Sequence, residues 1–179
     1  MKKTARILIT TKCNRSCPGC ANDLFIASGN MLTMNNITEV YKYDEIIITG
    51  GEPMLRPDLV LKTIEEIKLY SKAPIFMYSS TIRIDNDNAL KVLEMINGLT
   101  YTVHYEYTEK DEKMLRVLSY ILDKFNLNSR LLIDSRLAHI LEKKNIKWEN
   151  WNSIKLLEWQ DDGDCPLPSH ETGYYYKVF

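Results

Sequence analysis

Residues 7–20 read ILITTKCNRSCPGC, a short apolar run followed by a loop with three cysteines, Cys13, Cys17 and Cys20. An apolar run of this length is typical of a buried β-strand. Three thiolates from one short loop suit an iron-sulfur cluster better than a closed zinc site, because they bind three irons of a cubane and leave the fourth iron open. The stretch therefore predicts a first strand that ends in a loop holding a reactive iron centre.

A second motif follows the next apolar run. Residues 46–49 read IIIT and lead into the glycine shelf, our name for Gly50, Gly51, Glu52 and Pro53. Glycine lets the backbone approach a ligand closely, and proline biases the residue before it toward an extended conformation. The carboxyl ends of parallel strands meet at one rim of a sheet, where functional groups gather. We therefore expect the cysteine loop and the glycine shelf to lie side by side.

The two motifs, in this order and this close to the N-terminus, resemble those of the radical S-adenosylmethionine (SAM) superfamily. The resemblance implies that Cys13, Cys17 and Cys20 ligate a 4Fe-4S cluster and that SAM binds its open iron. It also implies that one electron splits SAM to a 5'-deoxyadenosyl radical, which abstracts hydrogen from a substrate that the sequence does not identify. In such an enzyme the glycine shelf holds the methionine ammonium of SAM, with Glu52 and exposed carbonyl groups as acceptors.

Weaker cofactor-binding candidates lie at the ends of later predicted strands. Ser79 and Ser80 stand where relatives place small polar residues beside SAM, although they also suit turn hydroxyls. His104 and Glu106 close the fourth strand, where relatives contact the ribose, and alternation leaves open whether they or their neighbours point inward. Asp134, which ends the fifth predicted strand, completes the set.

No catalytic residue beyond the cluster is identified. Cys165, His104 and Tyr175 are weak candidates for returning or relaying a hydrogen atom. The simpler interpretation is a free thiol, a structural histidine and a packing aromatic residue. The residue before the last loop cysteine is Gly19, where many relatives carry an aromatic residue near the adenine, so that contact is expected from backbone or from Phe25.

Two alternatives stay open. Residues 17–22, CPGCAN, resemble the activases of glycyl-radical enzymes, particularly those serving anaerobic ribonucleotide reductase. The other alternative is a non-catalytic zinc or metal-binding module with Cys165 as fourth ligand, or three cysteines that are simply buried. Zinc sites usually pair two closely spaced couples of ligands, and Cys165 lies far along the chain from the cysteine loop.

Short β-rich runs alternate along the chain with longer amphipathic stretches, which predicts βα units on a parallel sheet. We expect an α/β fold, a partial (β/α)6 radical SAM barrel over residues 1–160, with a short irregular tail, residues 161–179, that closes the barrel. Predicted strands cover residues 5–10, 45–49, 74–79, 100–106, 129–134 and 154–159. Predicted helices cover residues 35–43, 57–70, 87–96 with Gly98 as a stop, 108–125 with a capping box of Thr108 and Asp111, and 135–141 with Ser135 as cap.

Composition narrows the class of protein. A formal charge of −1 and a pI near 6.3 argue against a general nucleic-acid binder. The apolar runs are too short for a membrane span or a signal peptide, which predicts a cytoplasmic protein, and a reducing compartment suits cysteines that act as ligands. At 179 residues the chain can bury a full core. Its small size favours a substrate that is a small molecule or is tethered to a partner.

Basic residues surround the cysteine loop in the sequence without an acid among them: Lys2, Lys3, Arg6, Lys12 and Arg15. Complementary charge speeds the encounter of two proteins. These residues predict a docking face for an acidic electron donor such as a flavodoxin or a ferredoxin. An ordinary solvated N-terminus is the simpler interpretation.

Overall fold

A parallel sheet forms the frame of the protein. The structure is a computed structural model that describes residues 2–17, 20, 32–33, 37–158 and 171–175, with the backbone alone at 32–33 and 171–175. The strands are β1 (Thr4–Leu8), β2 (Leu32–Thr33), β3 (Glu45–Thr49), β4 (Ile75–Ser79), β5 (Gly98–Val103), β6 (Asn128–Asp134), β7 (Ser153–Leu157) and β8 (Glu171–Tyr175). The α-helices are α1 (Pro57–Tyr70), α2 (Asp87–Met95), α3 (Glu109–Ile121) and α4 (Ala138–Leu141). Short 3-10 helices cover Ile37–Lys42, Pro53–Leu55, Leu122–Lys124, Ser135–Leu137 and Trp148–Asn150.

Neighbouring strands are parallel throughout, in the order β2-β8-β1-β3-β4-β5-β6-β7. Helices α1, α2 and α3 follow β3, β4 and β5, as crossovers between parallel strands require. Within the described residues β2 and β7 end the sheet without pairing with each other, so the sheet is unclosed. Strands β1 and β3 to β7 are the six predicted ones. The predicted α/β fold, a partial barrel, is confirmed.

The hydrophobic core lies between the helices and one face of the sheet. Strand side chains point alternately to the two faces, and in β1 and β3 to β6 at least every second residue is buried over most of the strand. Along α1, apolar residues recur at helical spacing and face the same core. The inaccessible side chains include Ile46, Ile48, Met77, Leu99 and Leu131 of the sheet and Val60, Ile64 and Ile67 of α1, each at most 1% exposed.

The strand predicted at residues 100–106 is displaced along the chain. It is β5, which begins at Gly98 and ends at Val103. The Tyr107 amide donates to the His104 carbonyl (3.0 Å) and so closes a turn directly after the strand.

Gly98 is not the helix stop that the sequence suggested. Helix α2 ends at Met95, and Gly98 begins the next strand. A Cβ at Gly98 would lie 2.5 Å from the Phe76 ring, so the close packing of β5 against β4 requires the glycine.

The cap of α3 is as predicted, and the cap of the 3-10 helix Ser135–Leu137 differs from the prediction. The Thr108 amide donates to Asp111 Oδ2 (2.8 Å) and the Asp111 amide to Thr108 Oγ1 (3.4 Å), which is the predicted capping box. After β6, Asp134 is the cap in place of Ser135, since its Oδ1 accepts from the Arg136 amide (3.0 Å). A carboxylate is the stronger acceptor for a backbone amide at this position.

The tail contains a strand that the sequence did not predict. Residues 171–175 form β8, which pairs in parallel with β1, where we had expected irregular structure. The pairing is long-range, and the strand-forming residues of this segment, Thr172, Tyr174 and Tyr175, are interrupted by Gly173. Residues 159–170 and 176–179 lie outside the described residues, and the division of the chain at residue 160 stays a prediction. In the described part of the chain, no helix combines the length and hydropathy of a membrane span.

Candidate active site

The two sequence motifs meet at one pocket. A cavity of about 150 Å³ lies at the carboxyl ends of β1, β3, β4 and β5. It lies where parallel sheets gather functional groups, and it contains most of the predicted site residues. The predicted residues that line it are Cys13, Cys17, Cys20, Gly50, Gly51, Glu52, Ser79, Ser80 and His104.

Backbone hydrogen bonds hold the glycine shelf against the start of the cysteine loop. The Gly51 amide donates to the Thr10 carbonyl (2.6 Å), and the Glu52 amide donates to the Lys12 carbonyl (2.9 Å). Gly50 has a φ of 148°, and a Cβ at Gly51 would lie 2.2 Å from the Lys12 carbonyl oxygen. Both positions therefore require glycine. The close approach fixes the relative position of the two motifs.

The Glu52 carboxylate is buried, and four protein donors surround it. Its Oε1 accepts from the Met54 amide (3.0 Å) and the Ser79 hydroxyl (2.7 Å). Its Oε2 accepts from the Ser80 amide (2.7 Å) and the Ser80 hydroxyl (2.9 Å). Burial raises the pKa of Glu52, and the hydrogen bonds oppose this rise. The carboxylate thus ties the glycine shelf to the end of β4.

A buried ion pair connects the cysteine loop with the start of α3. Arg15 Nη2 donates to Asp111 Oδ1, and the two side chains are 7% and 11% exposed. Arg15 also donates to Ser80, from Nε to the hydroxyl (3.0 Å) and from Nη2 to the carbonyl (3.1 Å). Because Ser80 also donates to Glu52, one polar network joins the loop, the end of β4, the glycine shelf and the N-terminus of α3.

Cys13, Cys17 and Cys20 line one cavity, and three thiols are the donor set that a 4Fe-4S cluster with one open iron takes. Among the described residues, no set of three or more His, Cys, Asp and Glu side chains is arranged around a single metal ion. Burial raises the pKa of Cys13, and burial with the nearby Glu106 carboxylate raises the pKa of Cys17 to about 12. These thiols therefore stay protonated until iron competes for the sulfur.

His104 points inward, which answers the question that alternation left open. It lines the cavity, whereas Val103 is buried in the core and Tyr105 is exposed. Burial, followed by the positive charge of Arg15, lowers the pKa of His104 to about 4. The imidazole is therefore neutral near pH 7. Glu106 lies in the turn after β5, beside Cys17.

Other predicted site residues lie elsewhere. Asp134 is 2% exposed, its oxygens accept from Arg136 Nε (2.8 Å) and Nη2 (2.7 Å), and it is not among the described residues that line the cavity. Pro53, the last residue of the glycine shelf, is buried and begins a 3-10 helix, and it is not among the described residues that line the cavity. Outside the described residues lie Cys165, Gly19 and Phe25, and Tyr175 is described by its backbone alone.

The five basic residues near the cysteine loop do not lie on one face, and the docking of an acidic electron donor stays a prediction. Arg15 is buried in its ion pair, and Arg6 lines the cavity. Lys2 Nζ donates to Glu45 (2.6 Å) at the amino-terminal end of β3, the far end of the sheet from the loop. Lys12 is exposed on the loop. Strand alternation and length separate charges that are neighbours in the sequence.

Sequence analysis missed an ion pair at the site and the surroundings of Tyr78, which lines the cavity. Arg15 and Asp111 are 96 positions apart, and no local pattern predicts such a pair. The Tyr78 ring lies against two guanidiniums, with its centre 5.3 Å from Arg6 Cζ and 5.8 Å from Arg130 Cζ. A long charged side chain inside β6 is the signal that would have pointed to Arg130.

Comparisons with known proteins agree with this geometry. The sequence model of the Radical SAM superfamily matches residues 7–126. The chain is also 36% identical over 75 residues to a protein of Methanococcus aeolicus described as a probable GTP 3',8-cyclase; the match covers 37% of this chain and 25% of that relative. The chain therefore spans about a quarter of the length of this relative. The chain belongs to the radical SAM superfamily, an enzyme class that uses a 4Fe-4S cluster and S-adenosylmethionine.

Proposed function

We propose that this chain binds a 4Fe-4S cluster through Cys13, Cys17 and Cys20, cleaves SAM reductively, and abstracts hydrogen from a substrate inside the partial barrel. The observation that supports it most strongly is the meeting of the three sulfurs and the glycine shelf in one cavity. When bound, the reduced cluster supplies the electron that splits a sulfur–carbon bond of SAM and releases the 5'-deoxyadenosyl radical.

The chain's own residues position SAM by hydrogen bonding. A carboxylate has about four lone-pair sites, and protein donors already use four at Glu52. We therefore assign the methionine ammonium to backbone carbonyls of the glycine shelf, and we assign to Glu52 the task of fixing that shelf. Neutral His104 suits a hydrogen bond to a ribose hydroxyl, because it adds no charge to the cavity.

The direct test is anaerobic reconstitution with iron and sulfide, followed by SAM and dithionite. Liquid chromatography with mass spectrometry should detect 5'-deoxyadenosine. Cys17→Ala should lose cluster absorbance and product, because two sulfurs do not hold the cluster. Cys165→Ala should keep its iron, since a fourth cysteine is not needed. Zinc at about one per chain without iron, or loss of metal in Cys165→Ala, would favour the metal-binding module.

The substrate is not carried over from the relative, because the match covers only 25% of that protein. The activase hypothesis stays a prediction, since four of the residues in its motif, 18, 19, 21 and 22, lie outside the described residues. An activase would leave a protein-based radical on an added partner, visible by electron paramagnetic resonance. A small-molecule enzyme would leave none.

A flavodoxin or ferredoxin also stays a proposed electron donor. Raising the ionic strength should slow donor-dependent SAM cleavage and leave dithionite-driven cleavage unchanged if charge guides docking. Since the predicted basic face is dispersed, we expect a weak salt dependence. Equal slowing of both reactions would rule out docking by charge.

A further inference from the structure

The concave face of the sheet contains a second cavity. It has a volume of about 350 Å³ and is lined from the amino-terminal parts of β3 to β7. Tyr78 lines this cavity and also the cavity with the cysteines, so the two are neighbours on one face. We call the second cavity the inner cavity. Its polar side chains include Tyr78, Thr100, Arg130 and Lys155.

Arg130 is held in the inner cavity by neutral groups. Its Nε donates to Thr100 Oγ1 (3.2 Å) and its Nη2 donates to the Tyr78 hydroxyl (3.2 Å). The side chain is half-buried, and no carboxylate in the described part of the chain forms an ion pair with it. A guanidinium has five N–H donors, and these bonds use two of them. A partly buried cation without a counter-charge is costly unless a ligand supplies one.

The other charged residues around the inner cavity also favour an anionic ligand. Lys155 lines it from β7 and is exposed. Glu45 is the carboxylate among the described lining residues, and its Oε2 accepts from Lys2 Nζ (2.6 Å). Positive charges therefore outnumber negative charges among the described residues that line the inner cavity.

The geometry points to the inner cavity as the site for an oxyanion, a carboxylate or a phosphate, of the enzyme's substrate. Arg130 would bind the oxyanion with its remaining donors, because the planar guanidinium matches both groups in bidentate fashion. The Tyr78 hydroxyl and Thr100 hold the guanidinium in place. The substrate would then extend past Tyr78 toward the cysteines, where hydrogen is abstracted. This inference about the substrate rests on the proposed function; the binding of an oxyanion does not.

A purely structural role is the competing explanation. Stacking of a guanidinium on an aromatic ring stabilises a fold without any ligand. That role predicts that changes at Arg130 lower the melting temperature and leave anion binding unaltered. The two explanations therefore differ in a binding measurement.

The experiment is isothermal titration calorimetry on the full, anaerobically reconstituted chain at constant ionic strength. The probes are inorganic pyrophosphate and succinate, with neutral succinamide as control. We expect saturable binding of at least one anion and none of succinamide. Pyrophosphate alone would indicate a phosphate, succinate alone a carboxylate, and both a site for either oxyanion. The absence of saturable binding by either anion would overturn the inference.

Variants assign the binding to Arg130. Arg130→Gln should weaken the binding by roughly 10- to 100-fold, the effect of losing hydrogen bonds to a charged group. Arg130→Lys, which keeps the charge and perturbs folding less, should lie in between. Arg83→Gln is the matched control, because Arg83 is an exposed arginine paired with Asp85. Unchanged affinity in both Arg130 variants would also overturn the inference.

Two further measurements separate this inference from neighbouring explanations. If saturating SAM displaces the anion, the site belongs to the carboxylate of SAM, and the inference about the substrate fails. SAM cleavage by the same preparation reports on the proposed function. Cleavage without anion binding refutes the inference alone, whereas anion binding without cleavage refutes the proposed function and leaves the oxyanion site standing.

Discussion

The two faces of the sheet serve different purposes. On the outer face, Met77, Leu99 and Leu131 are at most 1% exposed and pack into the core. On the concave face, a residue adjacent to each of these in the strand is polar: Tyr78 follows Met77, Thr100 follows Leu99, and Arg130 precedes Leu131. A strand has a side-chain period of two, so core and cavity are one residue apart. Stability and binding can therefore be changed separately in neighbouring positions.

The largest expected effect tests whether the buried polar network around Arg15 is as important for stability as the apolar core. Arg15→Met removes one partner of a buried ion pair and leaves the Asp111 carboxylate buried without its cation. The loss should be about 3–5 kcal/mol of unfolding free energy. The measurement is chemical denaturation. Arg56→Met is the control, because Arg56 and Asp58 form an exposed ion pair that solvent screens, and its loss should change the stability little. Equal losses of unfolding free energy in the two variants would show that the buried ion pair stabilises the fold no more than an exposed one.

Leu131→Ala probes the outer face directly beside Arg130. Leu131 is fully buried, so the variant should lose about 2–5 kcal/mol of unfolding free energy through lost packing and the remaining cavity. Anion affinity of the folded protein should stay within about twofold of the wild type, a change of about 0.4 kcal/mol, because Leu131 does not line the inner cavity. A strong loss of anion binding in Leu131→Ala would break the separation of the two faces.

Gly51→Ala tests the contact between the two motifs. Its Cβ would meet a backbone oxygen of Lys12, which cannot rotate away, so we expect a loss of about 1–3 kcal/mol and weaker SAM binding. Gly98→Ala is the matched control, since its nearest neighbour is the Phe76 side chain, at the other end of the sheet. Equilibrium binding of SAM should distinguish the two variants. Equal SAM affinity in both would contradict the role of the shelf.

The effect that is smallest near neutral pH concerns acid stability. The folded-state pKa of His104 is lowered to about 4, while the unfolded chain binds the proton below about 6.5. Between these values the unfolded state holds more protons, so stability should fall as the pH decreases from about 6.5 to about 4. His104→Gln should flatten this part of the profile in denaturation experiments. His139→Gln, at an exposed histidine of α4, is the control and should follow the wild type.

Local signals in the sequence were reliable where neighbours along the chain decide the structure. The bounds of α1, Pro57–Tyr70, were predicted correctly, because an N-terminal proline and apolar residues at helical spacing define this helix. The capping box of α3 lies within four residues and was also predicted. Gly98 was misassigned because packing against Phe76, 22 positions earlier, determines its place.

The sequence by itself determined the reaction class, since the spacing of three cysteines and the composition of the glycine shelf are local properties with a direct chemical meaning. It also determined the order along the chain of six of the eight described strands and of helices α1 to α3, through their periodicity. Only the tertiary structure decided that Glu52 is engaged by protein donors, that Arg15 pairs with Asp111, and that Arg130 faces a cavity. The reason is physical: these contacts join residues 28 to 96 positions apart, and only the pairing of strands in the folded sheet brings such residues together.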